Sequence, residues 1–150
     1  MQIQLKEITR ENWKECIKLQ PAKEQQHFVA SNLYSIAESK FYPSCYTMAI
    51  YAAEVMVGFT LYGYDQDTDT LGEYWISRLM IDEKYQRKGY AKAAMLQVLQ
   101  QLRETPDCKK VKISYHPDNQ IAAKLYQSLG FKEIGMAEWQ EMVAELDLKA

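Results

Sequence analysis

The sequence of 150 residues lacks several features that mark particular classes of protein. No window is long and apolar enough for a membrane span, and the first residues carry no apolar run of the signal-peptide kind. The three cysteines, Cys16, Cys45 and Cys108, are odd in number and widely spaced, which is typical of a reduced protein. Two histidines are too few for a histidine metal cluster. We therefore predict a cytoplasmic protein that requires neither a membrane nor a metal.

The sequence also has no large excess of positive or negative charge. The formal net charge is −2, so nothing draws the chain as a whole toward nucleic acid. Two common phosphate-binding loops, Gly-x-x-x-x-Gly-Lys-Ser/Thr and Gly-x-Gly-x-x-Gly, are absent as well. A hydrophobic content of 47% with 25% charged residues is that of a globular protein, and the length suffices for one buried core. A single domain over residues 1–150, without a nucleic-acid partner, is the prediction.

What the sequence does have is a glycine-bearing loop between a predicted strand and a predicted helix. Residues 74–81 are rich in aromatic and branched side chains, and residues 91–102 are apolar at helical spacing. At Gly89 a phosphate could approach the main chain without meeting a Cβ, close to the N–H groups that open the helix. Three cations lie within three positions of that glycine: Arg87, Lys88 and Lys92. The stretch predicts a loop that binds a diphosphate.

The rest of the chain shows strand and helix patterns in one continuous order, without repeats or linkers. Thr9 is predicted to cap the first helix and Pro21 to end it, and a second, unbroken helix is predicted over residues 24–40. The predicted order is strand 3–8, helices 9–21 and 24–40, hairpin strands 46–51 and 55–62, strand 74–81, helix 91–102, strand 111–115, a helix between Asn119 and Gly130, and strands 131–136 and 142–148.

Two motifs then resemble one family. Gln86-x-x-Gly89-x-Ala91 is similar to the Gln/Arg-x-x-Gly-x-Gly/Ala motif of the GNAT family of N-acetyltransferases. That family also has an asparagine at a helix start, a tyrosine seven residues later and then Gly-Phe, which match Asn119, Tyr126, Gly130 and Phe131. The resemblance covers nearly the whole chain, most specifically residues 79–131. It implies an α/β (α+β) GNAT fold, a mixed and mostly antiparallel sheet of six to seven strands with a splayed parallel pair, flanked by about four helices.

The resemblance implies that acetyl-coenzyme A is the co-substrate and binds where the two parallel strands splay apart. Backbone groups at the end of the first of these strands would face the pantetheine arm, and the loop amides would hold the diphosphate. The cofactor-binding residues expected on this basis are Leu79, Met80, Ile81, Gln86, Arg87, Lys88, Gly89, Tyr90, Ala91, Lys92, Asn119, Lys124 and Tyr126.

For catalysis the resemblance implies that Tyr126 is the general acid that protonates the leaving thiolate. A phenol with an ordinary pKa near ~10 stays protonated at neutral pH. The general base stays open, because aligning by the loop puts Ser77 where polyamine acetyltransferases of this family can carry a glutamate. Glu73 lies ~13 Å further back on the same strand face. It could relay a proton through water, bind a distant ammonium group, or be only a solvated strand end.

Residues 24–40 are similar to the same region of bacterial spermine/spermidine (diamine) acetyltransferases. The implied function is transfer of an acetyl group to a primary amine of a polyamine such as spermidine or spermine, by direct attack in a ternary complex. Carboxylates and aromatic rings suit a chain of ammonium groups and methylene spacers. The predicted acceptor residues are Glu24, Glu38, Glu73, Trp75 and Ser77, with the acidic loop 65–69.

Other functions stay open at this point. Within the family, the acceptor could be an aminoglycoside, another small amine or a protein N-terminus. In a different class, the domain could bind acetyl-coenzyme A as a non-catalytic sensor module, although a pure binder has no need of the acid Tyr126. Homodimers are frequent in such proteins, but no residue pattern here indicates one.

Overall fold

The computed structural model describes residues 2–64 and 72–148. The strands are β1 (Ile3–Glu7), β2 (Cys45–Ala52), β3 (Val55–Tyr64), β4 (Glu73–Ile81), β5 (Lys110–Tyr115), β6 (Lys132–Met136) and β7 (Met142–Asp147). The α-helices are α1 (Trp13–Lys18), α2 (Asn32–Ser39), α3 (Tyr90–Arg103) and α4 (Gln120–Ser128), and 3-10 helices cover Lys23–Phe28 and Glu83–Tyr85. Within these described ranges, no helix is both long and apolar enough to cross a membrane.

The strands form one seven-stranded sheet in the order β1-β2-β3-β4-β5-β7-β6. Strands β4 and β5 run parallel, and the other neighbouring pairs run antiparallel. The predicted hairpin of β2 and β3 is confirmed, with strands slightly longer than predicted and a turn at residues 53–54 in place of 52–54. The predicted mixed sheet with one parallel pair is therefore confirmed, and the parallel pair lies at its centre.

A bulge in β4 marks the point where the parallel pair separates. Opposite β3, Leu61 pairs with Arg78 but Tyr62 pairs with Ile76, so that Ser77 is an extra residue in β4. The ladder between β4 and β5 also ends at Ile76, which pairs with Ile113. A bulge bends its strand and increases the local twist. Beyond Ser77, β4 therefore follows β3 alone, and its other edge opens a gap toward β5.

Helices cover both faces of this sheet. On one face, α3 and α4 pack on the parallel pair through a buried cluster that includes Met95, Leu99 and Tyr126. On the other, Cys16 of α1 packs with Phe59 of β3. Because each face of the central strands is buried, the apolar runs in β3 and β4 need no alternation with polar residues.

The prediction of one unbroken helix over residues 24–40 is wrong. The segment forms a 3-10 helix that ends at Phe28, and α2 begins only after Ser31. The hydroxyl of Ser31 accepts a hydrogen bond from the N–H of Tyr34 at 3.1 Å, which makes Ser31 the cap of a new helix. The first helix is likewise shorter than predicted, because Asn12 and not Thr9 stands at its N-cap.

The burial of two cysteines leads to a test of this packing. In the native protein at pH 8, iodoacetamide should modify the half-buried Cys45 about 100-fold faster than the fully buried Cys16 and Cys108. Burial, and to a smaller extent Glu15, raises the pKa of Cys16 to about 12. A thiol with that pKa is ionised to only ~1 part in 10⁴ at pH 8, and the thiolate is the reactive form.

Peptide mass spectrometry after a short labelling pulse measures the three rates. In urea the three cysteines should react at similar rates, which is the control. Labelling of Cys16 as fast as that of Cys45 in the native protein would contradict the packing of α1 on β3.

Candidate active site

A cleft of about 830 Å³ opens where β4 and β5 separate. Ser114 and Tyr115 both line it, and successive residues of a strand point to opposite faces of a sheet. The cleft therefore runs through the sheet and reaches both faces. Residues 21–30 cross over it, since the ring of Phe28 lies 5.1 Å from the ring of His116 at the end of β5.

The wall on the β4 side is a strand edge. Leu79, Met80 and Ile81 all line the cleft, and on their other side they pair with Thr60, Phe59 and Gly58 of β3. Among the described residues, no strand pairs with β4 beyond Ile76 on the cleft side. An extended ligand with amide groups can hydrogen-bond to such an edge as a missing strand would. The three residues predicted for the pantetheine arm thus share one edge of the cleft.

The glycine loop lies at the end of this edge and opens α3. Arg87 and Gly89 have φ values of 65° and 82°, which turn the chain sharply before Tyr90. Within the part of the chain that the structure describes, no backbone N–H of residues 87–92 donates a hydrogen bond to a protein acceptor. Unpaired N–H groups at the positive end of a helix dipole suit a diphosphate. The loop therefore fits the group for which the sequence predicts it.

Gln86 braces this loop. Its Nε2 donates to the carbonyl oxygen of Ile81 and to Oε1 of Gln25, both at 2.9 Å. Both N–H bonds of the amide are thereby used within the protein. Gln86 connects the end of β4 and the crossing segment to the loop, so it fixes the position of the amides that follow. Its direct contact with the cofactor remains a prediction.

Helix α4 forms the opposite wall. Oδ1 of Asn119 accepts a hydrogen bond from the N–H of Ala122 at 3.2 Å, and this cap orients the start of the helix. Asn119 and Tyr126 both line the cleft. Lys124 is exposed and lies outside the cleft lining, so its predicted phosphate contact would need the side chain to reach around the helix.

Tyr126 is held by other aromatic rings. Its ring centre lies 5.5 Å from that of Tyr115 and 6.0 Å from that of Phe131, and 7% of the residue is exposed. Burial, and then the neighbouring Tyr115, raises the pKa of Tyr126 above its ordinary value. The hydroxyl has no hydrogen-bond partner among the described residues. A protonated phenol thus borders the cleft, and its O–H can donate a hydrogen bond to a ligand there.

The structure brings only some of the predicted acceptor residues together. Ser77 lines the cleft and, with Arg78, also lines a side pocket of about 190 Å³, whose wall includes Trp75 and Glu38. Glu24 is exposed and lies outside the lining of both. The acidic loop 65–69 lies outside the described residues.

Two of the predicted carboxylates already have cationic partners. Glu38 forms an ion pair with Arg78, whose Nη2 lies 3.4 Å from Oε1. Glu73 is buried at the start of β4, where Oε1 lies 3.1 Å from Nζ of Lys112. Glu73 also lies outside the cleft lining, which leaves its predicted role as base or amine ligand without a direct path to the cleft.

Sequence reasoning missed Glu141, Ser114 and Arg78, which all line the cleft. Oε1 of Glu141 accepts hydrogen bonds from Oγ of Ser114 at 2.8 Å and from Nε1 of Trp139 at 3.1 Å. No local motif marks these residues. The one usable signal is that Glu141 directly precedes the last strand, and it becomes informative only once that strand is known to pair with β5.

Among residues 2–64 and 72–148, no three histidine, cysteine, aspartate or glutamate side chains are grouped to hold a metal ion. The site that remains is a through-sheet cleft with a strand edge, a loop of unpaired amides and a buried phenol. Such a site suits the transfer of an acyl group from an extended thioester carrier to a nucleophile that enters from the opposite face.

Comparison with known proteins agrees with an acyl-transfer enzyme. Residues 4–131 match the Acetyltransferase (GNAT) family, and the chain belongs to that family. It is an acetyl-coenzyme A-dependent N-acetyltransferase. The spermine/spermidine N(1)-acetyltransferase of Bacillus subtilis (strain 168) is 31% identical over 153 aligned positions, which cover 97% of this chain and 100% of the relative. The probable spermine N(1)-acetyltransferase of Bacillus subtilis subsp. natto (strain BEST195) is 30% identical with the same coverage.

Solved structures share the fold. The spermidine N-acetyltransferase of Vibrio cholerae, in complex with CoA and spermine, has a TM-score of 0.78 at 15% identity, with 98% of this chain and 96% of that chain covered. The PaiA N-acetyltransferase of Thermoplasma acidophilum, in complex with coenzyme A, has a TM-score of 0.74 at 14% identity, with 98% and 99% covered. The predicted GNAT fold is confirmed, and acetyl-coenzyme A is the co-substrate.

Proposed function

We propose that this protein transfers the acetyl group of acetyl-coenzyme A to a primary amine of a polyamine such as spermidine or spermine, by direct attack within a ternary complex. The observation that carries the proposal is the similarity along the whole chain to spermine and spermidine acetyltransferases of Bacillus. The cleft supports direct attack, because it reaches both faces of the sheet and can hold two substrates at once.

Acetyl-coenzyme A supplies a thioester carbonyl, and the residues of the chain do the rest. The N–H groups of residues 87–92 hold the diphosphate, and the open edge of β4 orients the pantetheine arm. A backbone N–H of that edge stabilises the charge that develops on the carbonyl oxygen. Tyr126 donates its phenolic proton to the thiolate as it leaves, and its raised pKa keeps that proton in place until then.

The acceptor side of the cleft also carries a cation. Arg78 lines both the cleft and the side pocket, and its buried Nε has no acceptor among the described residues. A polyamine must tolerate this guanidinium, which the ion pair with Glu38 partly neutralises. The same arginine favours, as a second candidate, an acceptor amine that also bears a carboxylate, such as a free amino acid or a peptide whose first residues are acidic. The two candidates differ in charge and can be separated directly.

An acceptor panel with a free-thiol readout separates them. Spermidine and spermine should show kcat/KM values at least about 10-fold above those of butylamine, because each further ammonium group can make a charge-assisted hydrogen bond. An aminoglycoside, a short peptide with a free N-terminus and an amino acid complete the panel, and mass spectrometry locates the acetyl group. Preference for the peptide or the amino acid would refute the polyamine proposal. Acetyl-coenzyme A binding without thiol release for any amine would indicate the sensor module. The cytoplasmic location stays a prediction, and a homodimer stays an open alternative.

A further inference from the structure

Glu141 is a carboxylate in the cleft to which the sequence assigns no role. It directly precedes β7, and the pairing of Met142 with Tyr115 places it at the end of β5. The hydroxyl of Ser114 and the indole N–H of Trp139 both donate to Oε1. Oε2 accepts no hydrogen bond from the residues that the structure describes. The carboxylate is therefore held in one orientation by one oxygen, while the other oxygen is left to a ligand.

The negative charge of Glu141 also has no positively charged partner among the described residues. No lysine, arginine or histidine nitrogen of the described residues lies within 4.0 Å of its oxygens. Most charged groups on the neighbouring elements have a partner of their own: Arg78 with Glu38, Lys112 with Glu73, Lys110 with Glu145, and Glu133 with the hydroxyl of Tyr115. Nδ1 of His116 accepts a hydrogen bond from the N–H of Asp118, and Lys132 at the far end of β6 forms no ion pair among the described residues. A cation entering the cleft thus finds one carboxylate that is not already paired.

Aromatic rings stand beside this carboxylate. The rings of Trp139 and Trp75 lie 6.2 Å apart, and Trp139 is bound directly to Glu141. Nζ of Lys112 lies 6.0 Å from the centre of the Trp75 ring, so Trp139 is the ring beside Glu141 that remains for an incoming ammonium group. An ammonium group is attracted both by an aromatic face and by an unpaired carboxylate oxygen. The side chains around Glu141 therefore match an amine better than an anion.

Glu141 lies next to the point where β4 and β5 separate. Its partner Ser114 is the first residue of β5 beyond Ile113, at which pairing with β4 ends. Ser77, the bulge residue, lies at the same level of β4. Through its hydrogen bond with Ser114, Glu141 is therefore held at the point where the strands separate. The side chains of Ser114 and Tyr115 point there toward opposite faces of the sheet.

We propose that Glu141 binds the reacting ammonium group of the acceptor and accepts its proton, an inference that rests on the proposed function. An N–H bond of the ammonium breaks and an O–H bond forms at Oε2. The electron pair stays on nitrogen, which then attacks the acetyl carbonyl, and the proton passes from Oε2 to solvent. As the C–S bond breaks, the thiolate takes the phenolic proton of Tyr126, and a second proton from the nitrogen restores that phenol when the amide forms.

The pH dependence of Glu141→Gln tests this role. At pH 7, kcat/KM for spermidine should fall about 30-fold, because the variant can use only the small fraction of the amine that is already unprotonated in solution. Since a primary ammonium has a pKa near ~10.4, that fraction rises ~10-fold per pH unit. The wild-type value should stay nearly flat from pH 7 to pH 9, while the variant rises toward it. The KM for acetyl-coenzyme A should stay within about twofold.

The matched control is Glu138→Gln, which removes an exposed carboxylate from the same turn between β6 and β7. It should behave as wild type at every pH. Wild-type activity of Glu141→Gln, or a loss of the same size at every pH, would overturn the inference, because a merely structural role gives a constant loss. If the wild type acetylates another amine but no polyamine, the proposed function fails, and the same comparison with that amine still decides the role of Glu141. If it acetylates no amine, both proposals fail.

Discussion

Replacing Tyr126 by phenylalanine should lower kcat by about 100-fold or more, with the KM values of both substrates changed by no more than about threefold. The substitution keeps the ring that packs between Tyr115 and Phe131 and removes only the hydroxyl at the cleft. The thiolate must then leave without a proton from the protein. Steady-state kinetics with a free-thiol readout, together with the apparent unfolding temperature, measure the effect.

Tyr115→Phe is the control that this cluster offers. Tyr115 is also a buried tyrosine, but its hydroxyl already donates to Oε2 of Glu133 at 2.5 Å. Its removal should cost about 1 kcal/mol of stability and leave kcat within about threefold. Because burial raises the pKa of Tyr126, the acid stays protonated to higher pH, and its ionisation should cause no loss of kcat below pH 10. An unchanged kcat in Tyr126→Phe would remove this residue from the mechanism.

Local signals explain how much of the fold the sequence predicts. Asn119 caps α4 through a bond to a residue three positions away, and Gly130 follows its end with a φ of 97°. Gly89 stands at the N-cap of α3 with a φ of 82°. Each of these features is encoded within a few residues, so a pattern along the chain can reveal it. The break before Ser31 shows the limit of periodicity, because apolar spacing continued across a cap and concealed it.

The acceptor side depends instead on contacts between distant residues. Oγ of Ser114 meets the carboxylate of Glu141 across 27 positions of the chain, and Arg78 meets Glu38 across 40. Whether a carboxylate can receive an ammonium group depends on whether such a partner already neutralises it. The bulge at Ser77 likewise follows from the register of two strands and not from its own neighbours. For this reason the cofactor side could be predicted from motifs, whereas the acceptor side required the structure.

Replacing Gly58 by alanine should lower the free energy of unfolding by about 3 kcal/mol. A Cβ at this position would lie 2.3 Å from the carbonyl oxygen of Met80 and 2.8 Å from Cδ1 of Ile81. A backbone oxygen in a central strand cannot move aside as the end of a side chain can, so β4 must shift. Urea unfolding, with the midpoint and the slope both fitted, measures the loss.

The same shift should reach the active site, because Met80 and Ile81 form the cleft edge of β4. The folded fraction of Gly58→Ala should therefore show a KM for acetyl-coenzyme A raised by about 10-fold, as expected when a binding edge is displaced by a fraction of an ångström. Val55→Ala is the control on the same strand, since Val55 is 47% exposed and should change stability by no more than about 0.5 kcal/mol. If Gly58→Ala unfolds at the wild-type midpoint, β3 does not support the cleft edge as closely as the contact of Gly58 with Met80 requires.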